Sequence, residues 1–288
     1  MSIDKKVWLI TGASSGFGKS LAQAVIKQGD YVAITARRLE HLEELAKGNE
    51  SQVLTLAVDL TDSETRNQAV NETISHFGRI DVLANVAGSG SLGAVEEFSE
   101  QELRSQFELN FFSTAELTRA VLPHMREQGS GHILTVTSVA GLAPITGVGP
   151  YCASKFALEA WTETLAQEVK SIGIKVTLVE PGSFRTGFAG DANVRPKNRI
   201  DSYQDIVGPV EDFLENNAGN ELGDPNKAAE VMIKVTQSPR APKRLMLGAD
   251  AFALWERTIA DRIDDINAWK ELGLDTACEG AQPKPIGE

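Results

Sequence analysis

Tyr151 and Lys155 in GPYCASKFALEAW (149–161) stand four residues apart. On a helix that is one turn, about 6 Å of axis, so both side chains share a face. A phenol can give and retake a proton, but its ordinary pKa of about 10 lies three units from neutrality. Closing that gap takes roughly 4 kcal/mol of preference for the phenolate. A buried ammonium one turn away supplies much of it. On a solvated helix face the same pair does nothing, so the spacing counts only in company.

That company is a series of elements ending at one edge. Short apolar runs at 7–11, 31–36, 53–58, 81–86, 132–137 and 175–180, with RLMLGAD near residue 244 as a seventh, read as strands buried on both faces. Helical patterns alternate with them, among them KSLAQAVIKQG stopped by Gly29 and SETRNQAVNETISHFG capped by Asp62. Alternation of this kind predicts right-handed crossovers and an α/β, doubly wound parallel sheet of Rossmann type with helices on both faces. TGASSGFGKS follows the first strand and opens the first helix, where Gly12, Gly16 and Gly18 let backbone approach a pyrophosphate. The second strand ends ITARRLE. Arg37 and Arg38 stand where a carboxylate would take a ribose 2′-hydroxyl, and guanidinium suits a 2′-phosphate, which favours NADP(H). Asp59, Asn85 with Ala87 and Gly88, and Ser138 end later strands at the same edge.

Other features exclude functions. The net charge of -12 and the lack of a basic cluster argue against nucleic acid. MSIDKKVWLI leads into a first strand and not a secretory segment, and no run reaches the ~18 apolar residues of a membrane span. Cys152 and Cys278 form no ligand pattern, which points to a reducing cytoplasmic setting without a structural metal. Cys152 reads as a packing residue, and His41, His76, His124 and His132 show no triad or ligand spacing. Residues 183–223 break the alternation and are expected to be a lid or a disordered segment, with room for short helices. A helix capped by Asp224 and Pro225 follows, then one long helix from Ala251 to Leu272 and a frayed polar tail at 276–288.

Taken in order, TGASSGFG, NVAG, ELNFFST, TVTS, YCASK and EPGSFRT resemble the motif series of the classical short-chain dehydrogenase/reductase family, in its NADPH-preferring subgroup, from residue 7 to about 190. One departure is Val86, where the family's fourth-strand motif has a second asparagine. The resemblance implies a single domain over 1–275 with Tyr151 as acid/base, Lys155 as its partner and ribose ligand, Ser138 as carbonyl anchor and Asn110 as holder of a relay water. It also implies a cofactor set: Gly12, Ser14, Ser15, Gly16, Phe17 and Gly18 at the phosphates, Arg37 and Arg38 at the 2′-phosphate, Asp59 and Leu60 at the adenine, Asn85, Ala87 and Gly88 at the ribose. Pro181, Gly182, Phe184 and Thr186 complete it at the nicotinamide end. By the same resemblance PGSFRTGFAG and GADA suggest reductases of ketones, steroids and retinoids, and helices near 103–126 and 152–171 suggest a homodimer or homotetramer.

VAGLAPITGVGP, with Phe184 and Phe188, suits an apolar, medium-sized carbonyl or alcohol substrate. Two other readings stay open at this point: a catalytically silent NADP(H)-binding sensor or scaffold, and an NAD-dependent alcohol dehydrogenase.

Overall fold

A computed structural model describes residues 5–188 and 193–282. Residues 1–4 of the expected domain, Ala189 and Gly190 of PGSFRTGFAG, and 283–288 of the tail lie outside the described residues.

Seven parallel strands form the sheet: β1 (Val7–Ile10), β2 (Tyr31–Ala36), β3 (Val53–Ala57), β4 (Val82–Asn85), β5 (Gly131–Val136), β6 (Ile174–Pro181) and β7 (Arg244–Leu247). Their order is β3-β2-β1-β4-β5-β6-β7. The pleat explains the unbroken apolar runs. Trp8 and Ile10 of β1 enter one core, with Leu21 and Val25 of α1 (Gly16–Gln28) and Met232 of α8 (Pro225–Gln237). Leu9 enters the other, with Val70 of α3 (Ser63–Phe77), Val121 of α5 (Ser113–Gln128) and Leu165 of α6 (Gly149–Glu168). α2 (Glu40–Ala46) joins β2 to β3.

Local chemistry ends the helices where the sequence says it should. Gly29 takes the left-handed conformation (φ 92°) after α1. Asp62 and Asp224 each accept a bond from the backbone two residues on, at 2.9 and 2.8 Å. The chain turns from β1 to β2 on one side and to β4 on the other, so a crevice opens at the carboxyl ends of β1 and β4.

The segment expected to be a lid or disordered has regular structure among its described residues. It carries α7 (Gln204–Asn217), a helix of 14 residues with Pro209 inside it, packed through the buried Val207. Asn193–Val194 pairs with Gly90–Ser91 in the loop after β4. Buried Glu97 accepts from Ile200 N at 2.8 Å and pairs with Arg199 at 3.2 Å, which fastens the lid to the same loop. The long C-terminal helix is two: α9 (Ala249–Ala268) and α10 (Lys270–Leu274), broken at Trp269. Among the described residues no helix is long and apolar enough to cross a membrane.

Candidate active site

The glycine loop is shaped by contacts that only glycine permits. Gly12 (φ 68°) and Gly16 (φ 52°) are left-handed. A Cβ on Gly12 would lie 2.9 Å from Ala87 Cα, and one on Gly16 would lie 3.0 Å from Thr186 Cβ. Gly18 has ordinary φ, yet its Cβ would lie 2.6 Å from the Gly12 carbonyl carbon. The first turn of α1 carries no acidic side chain, and Ser15 at its N-cap makes no capping bond, so the positive helix end faces the loop. Ser14 is half-buried in the loop, the Phe17 ring packs at a tilt against that of Phe184 with centroids 5.0 Å apart, and Thr186 stands opposite Gly16.

Around the cradle the other expected residues divide. Arg37 and Arg38 are exposed at the end of β2 and make no salt bridge among the described residues. Asp59 accepts two bonds from Thr61, at 2.9 and 2.7 Å, and these, with help from Arg37, hold its carboxyl below the usual range. The neighbouring Leu60 side chain packs into the second core, while its carbonyl accepts from Arg66. Asn85 is buried. Its Nδ2 donates to Thr118 at 2.9 Å, while Oδ1 has no protein partner among the described residues. A glycine cradle, an open helix end, two unpaired cations and an unpartnered amide oxygen are the features a dinucleotide needs, so these residues fit such a cofactor.

Asn110 lies in a π-turn, Glu108–Phe112, between α4 (Glu100–Phe107) and α5. The wider turn aims its side chain inward. Oδ1 accepts from Ser89 N at 3.0 Å, and Nδ2 donates to Ser89 O at 2.9 Å and Ser154 Oγ at 3.0 Å. Both amide hydrogens are thus engaged with protein, and the amide ties the loop after β4 to α6. A Cβ on Gly88 would meet both Asn110 Oδ1, at 3.2 Å, and Lys155 Nζ, at 3.5 Å.

At the start of α6, Tyr151 (9% exposed) and Lys155 (4%) are buried. The Tyr151 amide donates to Ser91 Oγ at 3.0 Å, and its ring lies 5.4 Å from that of Phe188. Lys155 Nζ donates to Val136 O at 3.0 Å and sits 5.8 Å from the Tyr151 ring centroid. Ser138 Oγ accepts from Ala140 N at 3.1 Å, capping its own turn, and reaches Pro181 O at 3.5 Å; Gly182 follows, close against Asp250.

The electrostatics correct one expectation. Burial pushes the Tyr151 phenol up to about 12, with Ser138 opposing it. That direction, set by burial without a cofactor's charge beside the ring, is opposite to the one expected from Lys155. Burial also pulls Lys155 down to about 8, opposed by Glu159. The physical reason is that a buried phenolate forfeits more solvation than a lysine already bonded to a carbonyl returns. Cys152, buried beside the tyrosine, is pushed up by burial, which keeps it a thiol.

Several contributors carry no local signature: Thr11, whose Oγ1 accepts from Val86 N and Ala87 N at 2.9 and 3.1 Å, Ser91, and Ser154. Val86 needs no second asparagine side chain to hold this loop, because its backbone is held through Thr11. Only a known pairing of β1 with β4 would have pointed to that threonine.

Comparison with known proteins agrees with this geometry. The model of the short chain dehydrogenase family matches residues 6–197. An oxidoreductase of Botryotinia fuckeliana, BOA17, is 37% identical over 94% of this chain and 99% of its own. A 3-ketodihydrosphingosine reductase of Bacteroides thetaiotaomicron is 41% identical over 73% of this chain and 72% of its own. The crystal structure of a short-chain dehydrogenase from Streptomyces avermitilis superposes with a TM-score of 0.89 at 39% identity, covering 96% of this chain and all of that one. With its motifs, its sheet order and these relatives in agreement, the chain belongs to the short-chain dehydrogenase/reductase family of oxidoreductases, which bind a nicotinamide cofactor.

Proposed function

We propose that the protein is an NADPH-dependent carbonyl reductase acting on an apolar ketone or aldehyde, the reverse alcohol oxidation using the same residues. The observation that carries this reading is the buried Tyr151–Lys155 pair facing Ser138 on the floor of the crevice beside the glycine cradle. A dinucleotide in that cradle would supply the hydride. Gly12, Gly16, Gly18 and the α1 amides would hold its phosphates, Arg37 and Arg38 the 2′-phosphate, and Asn85 Oδ1 and Lys155 the riboses. Ser138 donates to the substrate oxygen as negative charge builds there, typically a contribution of a few kcal/mol. Tyr151 gives that oxygen its proton. A phenol held up to about 12 is fully protonated at neutral pH, and it transfers its proton to an alkoxide readily, because the alkoxide is the stronger base. Asn110 keeps α6 and the Ser89 loop in register.

The walls of a neighbouring cavity support the substrate class. A cavity of about 660 Å³ opens beside Gly149, lined mainly by Val95, Ile145, Ile206 and Val207, with Tyr203 donating to Glu96 at 2.6 Å on its wall. Such a lining suits an apolar body held by few polar contacts. The Bacteroides relative is named for reducing a ketone, which supports the same class. Exposed Leu103 and Phe112 line a groove on α4 and the π-turn that supports a homo-oligomer, checked by sedimentation.

A panel of carbonyl compounds followed by NADPH absorbance tests the reading. Neutral aryl, alicyclic or long-chain ketones are expected to be consumed fastest. Faster turnover of charged sugars or acyl-carrier substrates would overturn the substrate class, and no consumption across the panel would overturn the activity.

A further inference from the structure

Behind Lys155 lies a charged cluster that the proposed chemistry does not use. Helix α6 presents Tyr151, Lys155, Glu159 and Glu163 at successive four-residue steps, one stripe of ionisable groups about 18 Å long. Glu159 is as buried as Lys155. Arg244, the first residue of β7, reaches Glu163 and Glu159 of the stripe from 81 and 85 positions downstream. Its Nη1 lies 2.5 Å from both Glu159 Oε2 and Glu180 Oε1, and its Nη2 lies 2.6 Å from Glu163 Oε2. Glu180 is buried at the end of β6, next to Pro181. Thr137 donates to the other oxygen of Glu159. A Cβ on Gly141 would lie 3.0 Å from Glu159 Cγ and 3.1 Å from the Lys155 backbone, so the 139–141 turn presses this part of α6 in place.

Two buried carboxyls on one guanidinium nitrogen raise each other's affinity for a proton, while the guanidinium opposes this. Burial raises both, and the charge of Glu159 helps lift Glu180 to about 7. Around Lys155 Nζ stand the Val136 carbonyl, the Tyr151 ring and, across Gly88, Asn110 Oδ1 from the π-turn; Glu159 is one turn along its own helix, and Glu180 and Arg244 stand behind Glu159. Of these, Glu159 is the charge that opposes the effect of burial on Lys155.

We propose that Glu159 and Glu180, bridged by Arg244, are positioning residues that share one proton and thereby set the charge on Lys155. The proposal rests on the reading of Lys155 as the cationic partner of Tyr151. Glu159 ionises at the expense of Glu180, and the lysine holds its proton when Glu159 is the ionised member.

The test is an NMR pH titration of the Lys155 side chain in cofactor-free, full-length protein labelled with ¹⁵N-lysine, the signal assigned by its loss in Lys155→Met. The wild type is expected to titrate near 8. Glu159→Gln should lower the midpoint by about one pH unit, as loss of a close opposite charge requires. Glu159→Asp should return it toward the wild-type value. Glu180→Gln should leave it near the wild-type value, because Glu159 already carries its charge where the lysine titrates. A shift from one neutral substitution and none from its neighbour is not what loss of packing produces. The alkaline limb of the kcat profile for NADPH-driven reduction should move with the midpoints. Identical midpoints in wild type and a folded Glu159→Gln would overturn the proposal; should that variant not fold, a midpoint lowered by about one pH unit in Glu180→Gln would do so. Activity in Tyr151→Phe would instead remove the carbonyl-reductase reading and leave these midpoints unchanged.

Discussion

Replacing Gly18 with alanine separates a close approach of backbone from an ordinary helix glycine by the sign of its effect. Gly18 lies in the first turn of α1 with a φ that any residue adopts. Alanine there removes backbone entropy from the unfolded chain and should stabilise by up to about 1 kcal/mol. In this structure its Cβ would lie 2.6 Å from the Gly12 carbonyl carbon and 3.0 Å from Ala13 N, with the carbonyl oxygen nearer still. Those are backbone atoms of a loop fixed by Ala13 N donating to Thr35 O at 3.0 Å, so no side chain can swing aside. Restoring contact distance moves the loop or the helix end by about 1 Å, at the upper end of overpacking costs, about 3 kcal/mol. The net is a loss of about 2 kcal/mol, or roughly 4–6 °C in Tm for a chain of this size. The displaced amides should weaken NADPH binding at least about tenfold, or ~1.4 kcal/mol. Gly29→Ala is the control. Its φ of 92° makes alanine strained in open space, so it should lower Tm and leave NADPH affinity alone. Scanning calorimetry and NADPH titration of both variants decide the matter. A Gly18→Ala protein with a raised Tm and wild-type affinity would refute the cradle.

Two further perturbations read other parts of the molecule. Substituting alanine for Arg37 and Arg38 together should weaken NADPH about 10–100-fold, the worth of one charge-assisted contact, while leaving NADH within about threefold; equal losses for both cofactors by titration calorimetry would contradict the 2′-phosphate reading. His132 is buried, its Nε2 3.0 Å from Thr177 Oγ1, and burial first, then Lys175 and Lys6, pull it down to about 3. Its unfolded form binds a proton below about 6.5 that the fold refuses, so stability falls with pH across that window, by about 3 kcal/mol at pH 4. Glu180 has the opposite sign, since its raised value adds stability as pH falls from 7 toward 4.5. The comparison must therefore be His132→Gln against wild type in urea melts at pH 7 and 4, and an unchanged pH dependence would contradict it.

The strands were legible because parallel strands buried on both faces leave continuous apolar runs, and Tyr31–Ala36 was located to the residue. The glycine loop and the Tyr151–Lys155 spacing were legible because each is a local pattern with one mechanical use. Helix α7 was not, because Gly208 and Pro209 read as breakers, whereas burial of Val207 and the anchors at Glu97 hold the helix despite them. The π-turn at Asn110 leaves no mark in composition. Arg244 meets Glu159 across 85 residues, a contact only the β6–β7 pairing creates. The raised Tyr151 value was not legible for a related reason: the sequence locates the lysine but not the depth of burial, which is the largest influence on the phenol in the structure.

Replacing Tyr151 with phenylalanine tests the central claim most directly, since it removes one hydroxyl from a buried ring and leaves the cradle untouched. NADPH should bind with wild-type affinity while reduction of the best ketone falls by several orders of magnitude; a phenylalanine variant that reduces the ketone at a rate near that of the wild type would contradict the account.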